Sequence, residues 1–151
     1  MKVLLLLLLL ISNVLCDLNY RYLYYKYKVL YKGSIYIEEN NVRYDGIFIY
    51  NTDKNNICIN GEKIYINKKL DYKKKFEILI HELTHYLQCL NSMKNNKSYS
   101  SVTKNRPNIN TMKIIDKLYN KSNLSEEYEA FYYQYNYLEF NDLENFVLYN
   151  I

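Results

Sequence analysis

The chain opens with an unbroken apolar run from Val3 to Ile11, continues through Ser12, Asn13, Val14, Leu15 and Cys16, and turns polar at Asp17. Behind the basic Lys2 this is the layout of a secretory signal peptide, with cleavage expected after Cys16. A leucine run with no polar face also lacks the amphipathic stripe of a core helix. The run is well short of the ~20 apolar residues needed to span a bilayer, and no later segment approaches that length. The expectation is a leader over 1–16, one secreted domain over 17–151, and no membrane contact beyond the leader.

Past the leader the period changes twice. Ser34 to Glu38, Val42 to Tyr50, Ile57 to Asn60 and Glu62 to Ile66 read as strands, and Asn60-Gly61 is a hairpin signal between the last two. Tyr20 to Tyr31 alternates like a strand, yet Leu18, Tyr22, Tyr25 and Val29 also form a helical stripe, and the reading leans to helix. After Asp71, Phe76, Leu79, Ile80, Leu83, Leu87 and Leu90 recur at helical spacing, with Asp71 placed to cap. Asn91 to Asn110 is polar, holds the one proline, Pro107, and reads as a long mobile loop. Helices are expected from Thr111 to about Tyr119 and from Ser125 to about Phe140. Strands first and helices after define an α+β domain: a small, mostly antiparallel sheet, a central helix and C-terminal helices.

Composition adds limits rather than detail. The chain has 151 residues, 49% of them hydrophobic, enough for one core and too few for two full domains. A net charge of +4, with basic residues scattered, gives no ground for a nucleic-acid partner. With 20 Tyr and no Trp, any single tyrosine has a low prior of being functional. Loss of Cys16 with the leader leaves Cys58 and Cys89, which in an oxidising compartment form either one bridge or two buried thiols. Three glycosylation sequons begin at Asn96, Asn120 and Asn123.

The chemistry lies in the central helix, at His81-Glu82-Leu83-Thr84-His85. Histidines four residues apart stand one turn apart on one face, so both imidazoles can reach one zinc ion. Glu82 is rotated off that face by one residue, beside the metal without binding it, where it can take the proton of a zinc-bound water. Two histidines and ten glutamates scattered at random through this chain would give such a motif roughly once in a thousand trials, so accident is a poor account of it.

A catalytic zinc usually takes three protein ligands and keeps a fourth position open. No third histidine exists, so a carboxylate on a later element is expected, and Ser125-Glu126-Glu127-Tyr128-Glu129-Ala130 offers three. Glu126 and Glu127 suit first-turn acids that complement the helix dipole below a Ser125 cap. Glu129 lies deeper, with Ala130 beside it to allow a close helix approach. It is the expected ligand, with Glu126, on the same face, in reserve.

These residues, His81 to Gln88 followed by Glu127 to Ala130, resemble small zincin metallopeptidases of the gluzincin kind, including ImmA-like proteases. The resemblance rests on about eight residues plus a short acidic motif. It implies His81, His85 and Glu129 as ligands of one Zn2+ per chain, Glu82 as general base, and a sheet whose edge strand pairs with an extended peptide substrate. It also implies a tyrosine that steadies the oxyanion, for which Tyr128, Tyr132 and Tyr133 are among the candidates. The expected function is a secreted zinc-dependent endopeptidase. The alternative is a secreted zinc-binding structural or interaction protein, in which a fourth protein ligand closes the metal site.

Overall fold

The computed structural model describes residues 2–30, 35–121 and 124–149. Helix α1 (Lys2–Leu30) runs unbroken across the boundary between the apolar run and the polar chain. Its two halves differ in what they touch. The apolar side chains from Val3 to Leu15 are exposed, whereas Tyr20, Leu23 and Tyr27 are buried against the rest of the protein. Burial of each such side chain contributes about 1.5–3 kcal/mol. The helix beyond Tyr20 is therefore as the periodicity suggested, but on a different face: Leu18, Tyr22 and Tyr25 point to solvent. Lys26 and Tyr27 both bond the buried carboxylate of Glu144, which fastens this half to the last helix of the chain. Taken whole, α1 is long and apolar enough to cross a membrane by length and composition, a test that a signal sequence near the N-terminus also passes.

Three strands follow: β1 (Tyr36–Asn40), β2 (Gly46–Thr52) and β3 (Cys58–Asn67). The sheet order is β1-β3-β2, with β1 parallel and β2 antiparallel to β3, so it is mixed. Asn60-Gly61 makes no hairpin. It lies inside β3, and the chain reverses earlier, where the Asp53 carboxylate accepts the backbone N–H groups of Asn55 and Ile57 while Asn56 takes a left-handed φ of 58°. Gly61 is needed for close approach instead. A Cβ there would stand 2.7 Å from the Phe48 ring and 3.1 Å from that of Tyr86. The pairing also slips beside it, from Ile49 opposite Lys63 to Tyr50 opposite Gly61, which leaves Glu62 as a bulge.

Helix α2 (Tyr72–Asn95) starts as expected, with the Asp71 carboxylate accepting from Lys74 N at 2.8 Å. Leu79, Ile80, Leu83 and Leu87 are fully buried, and Ile64 and Ile66 of β3 face the same core. The helix runs five residues into the stretch expected as loop, from Asn91 to Asn95, and is capped by Asn96 at a left-handed φ of 51°. A 3-10 turn (Tyr99–Val102) comes next, with Tyr99 and Val102 buried, so this segment is packed rather than a free loop. Cys58 and Cys89 form a disulfide with Cα atoms 5.2 Å apart, tying the start of β3 to α2.

Helices α3 (Ile109–Tyr119), α4 (Ser125–Gln134) and α5 (Tyr137–Tyr149) complete the chain. The single helix expected from Ser125 to Phe140 is two. Asn136 breaks it: its backbone N–H donates to Tyr133 O, and its own carbonyl accepts from Phe140 N and starts α5. The sequons starting at Asn120 and Asn123 include residues 122–123, outside those described.

Candidate metal centre and cleft

The buried middle of α2 carries His81 and His85 one turn apart, with ring centroids at 4.9 Å. Each ring is held by its Nδ1. His81 Nδ1 lies 3.0 Å from Gln134 Oε1, and His85 Nδ1 lies 2.9 Å from Gln88 Oε1. The amide orientations follow from the other ends: Gln88 Nε2 donates to Glu126 O and Glu129 Oε1, and Gln134 Nε2 donates to the Tyr135 hydroxyl. An amide oxygen only accepts, so Nδ1 carries the proton in both rings and Nε2 is left as a bare lone pair.

Both lone pairs point at Glu127. Its Oε2 is 3.3 Å from His81 Nε2 and its Oε1 is 3.4 Å from His85 Nε2. One ligand atom from each of the three residues falls within 4.8 Å of the other two. Glu127 Oε2 is buried and makes no hydrogen bond of acceptable geometry. Two imidazole nitrogens that face the two oxygens of one carboxylate fit a divalent cation, and the nitrogen and oxygen donors suit a borderline transition metal. Without a metal, a proton takes its place. Burial opposes charge on His85, but the adjoining Glu127 carboxylate outweighs it and pushes the imidazole pKa up to about 9. Burial likewise works to raise the Glu127 carboxyl, yet His85 and then His81 hold it well below the usual range.

Glu129, the expected third ligand, is not in this cluster. It is buried on another side of α4, where Oε2 accepts from Lys104 N and Asn105 N and Oε1 from Gln88. Two positions along a helix turn a side chain by ~200°, so Glu127 and Glu129 cannot face the same neighbour. Glu126 lines the cleft outside the cluster. Ser125 does not cap α4, since Leu124 holds the cap position without a side-chain bond; the first-turn acids are therefore not explained by that cap. The missed signal was spacing. Ala130, fully buried, lies three residues after Glu127, and Phe131 and Gln134, four and seven after it, both contact His81. This stripe is the α4 face that packs on α2.

Glu82 sits beside the cluster, on the side of β2. Its carboxylate accepts the backbone N–H of Phe48, and a Cβ on Gly46 would come within 2.9 Å of its Oε1. Burial raises its pKa, against the pull of His81 and His85. Such a carboxylate, oriented by one backbone donor, is a base poised to accept a proton.

A cleft of about 650 Å³ opens over these groups. Gly46, Ile47 and Phe48 of β2 line it, as do Leu118 and Tyr119 of α3 and the rings of Tyr50 and Tyr99, stacked at 4.8 Å. The Tyr119 hydroxyl lies against Glu127; burial and that carboxylate both raise its pKa. Tyr128, Tyr132 and Tyr133 do not line the cleft. Tyr128 bonds Asp116, Tyr132 bonds Glu139, and Tyr133 accepts from Asn105.

Fold and site together define an α+β domain in which a two-histidine, one-glutamate cluster and a buried carboxylate face a cleft beside a sheet edge. Compared with protein families, curated proteins and solved structures, the chain matches none.

Proposed function

We propose that this protein is a secreted zinc-dependent endopeptidase with a zincin-like arrangement, in which His81, His85 and Glu127 hold the metal and Glu82 is the general base. The observation that carries the reading is the convergence of His81 Nε2 and His85 Nε2 on the two oxygens of the Glu127 carboxylate, with a second buried carboxylate, Glu82, alongside. Zinc bound there would supply Lewis-acid polarisation of the scissile carbonyl and lower the pKa of water. The chain's own groups do the rest. Glu82, held by Phe48 N–H, takes a proton from the attacking water and delivers it to the departing amine. The outer edge of β2, unpaired within the sheet order β1-β3-β2, runs along the cleft where an extended peptide can add as a further strand. Tyr119 stands across from that edge with its hydroxyl at the cluster, the best placed of the cleft tyrosines to donate to a developing oxyanion.

Three donors, rather than a closed set of four, favour catalysis over a purely structural metal among the described residues. Secretion is supported by the exposed apolar leader and by the disulfide, which persists in oxidising compartments. The test is cleavage of a mixed peptide library by zinc-loaded protein. Glu82→Gln should bind zinc normally and lose activity by about 10²–10⁴-fold. Undiminished cleavage by that variant would refute the mechanism.

A further inference from the structure

Glu129 is 2% exposed, touches neither the cluster nor the cleft, and yet accepts three hydrogen bonds. Two come from the backbone at Lys104 and Asn105, at 2.6 and 2.9 Å. The third comes from Gln88 Nε2 at 3.3 Å; that NH2 also donates to Glu126 O at 3.0 Å, and the same amide presents Oε1 to His85 Nδ1 at 2.9 Å. Every bond in this chain runs one way. A carboxylate can only accept, so it draws the NH2 end of Gln88 towards itself and turns the carbonyl end towards His85. The carbonyl then requires the proton on Nδ1, and the lone pair is left on Nε2, facing Glu127. Rotating the Gln88 amide by half a turn would present N–H groups to Nδ1 and favour the opposite tautomer, with a hydrogen where the metal must bind.

We propose that Glu129 is a positioning residue that acts through Gln88, together with the Glu126 carbonyl, to fix the metal-binding tautomer of His85. The proposal rests on the reading of His81, His85 and Glu127 as a zinc site. His81 lacks an equivalent lock, because its Gln134 is backed by the hydroxyl of Tyr135, which can donate or accept, on an exposed ring.

The test measures zinc affinity by chelator competition on protein produced from the full chain, with folding checked by circular dichroism on metal-free samples. Glu129→Gln keeps an oxygen for the two backbone N–H groups but sets an NH2 against that of Gln88. It should weaken zinc binding by about 10–100-fold. Gln88→Met removes the amide while leaving Glu129 on its backbone donors, and should weaken binding comparably, which provides the test if Glu129→Gln does not fold. In the double variant Gln88→Glu/Glu129→Gln the polarity towards His85 is restored, since the new glutamate accepts from His85 Nδ1 and the new glutamine donates to it, while Glu126 O loses its donor. Its affinity should exceed that of Glu129→Gln alone by about threefold or more. A purely structural Glu129 predicts no such recovery, because the second substitution would only add a buried charge. Wild-type affinity in Glu129→Gln or Gln88→Met, or no recovery in the double variant, would overturn the relay while leaving the zinc site standing. A wild-type protein that takes up no zinc would overturn both.

Discussion

Removal of the Cys58–Cys89 bridge is a perturbation whose size the fold sets. The two cysteines are 31 residues apart, and closing a loop of that length withdraws about 12 cal/mol/K of entropy from the unfolded chain, or about 3.7 kcal/mol at 25 °C. The native state should change little, because Cys58 N still donates to Ser92 Oγ at 3.0 Å and Tyr99 N to Asn56 O at 2.8 Å across the same junction. The loss therefore falls on the unfolded side. At roughly 2.1 cal/mol/K of unfolding entropy per residue, a chain of ~135 residues counted from Asp17 should melt about 13 °C lower. The assay is equilibrium urea unfolding of the wild type and of Cys58→Ala/Cys89→Ala, followed by circular dichroism. A drop of 3–4 kcal/mol is expected from chain entropy, with a steeper denaturant slope because the uncrosslinked chain exposes more surface. A difference below about 1 kcal/mol would refute the reasoning.

Other consequences follow from the buried charges. Zinc must displace the His85 proton, so affinity should rise with pH up to about 9 and level off above it; a pH-independent affinity between 6 and 9 would contradict the His85–Glu127 pairing. The metal-free protein should show the reverse trend. A His85 pKa raised above its unfolded value contributes stability below about pH 6.5 that is lost as pH rises through about 9, readable in melting temperature. Glu144→Ala leaves the largely buried Lys26 without its carboxylate and should cost about 3 kcal/mol in urea unfolding; a neutral effect would mean that α1 is not fastened to α5 through this pair.

The parts of the molecule legible in the sequence are those set by local rules. Asp71 and the stripe from Phe76 to Leu90 gave α2, and the H-E-x-x-H spacing placed both histidines on one face, because helical periodicity needs no knowledge of what lies opposite. What failed depended on neighbours distant in sequence. Asn60-Gly61 carries a strong turn signal, but the ring contacts of Phe48 and Tyr86 make the glycine a packing requirement within a strand. From Leu18 onward apolar and aromatic residues fill most positions of α1, so more than one stripe is available and only the packing partners select Tyr20, Leu23 and Tyr27. The parallel pairing of β1 with β3 leaves no local trace in either strand. By local rules Glu127 reads as a first-turn acid that complements the helix dipole and Glu129 as the deeper one, whereas the residue that shares the packed face of Ala130 lies three positions before it. Glu129 still bears on the site, through Gln88.

The central claim is that His81, His85 and Glu127 together hold one zinc ion. Elemental analysis of purified wild-type protein beside Glu127→Ala and Glu126→Ala tests it directly. One zinc per chain is expected in the wild type and in Glu126→Ala, with most of it lost in Glu127→Ala. No zinc in the wild type, or full zinc retained in Glu127→Ala, would contradict the account.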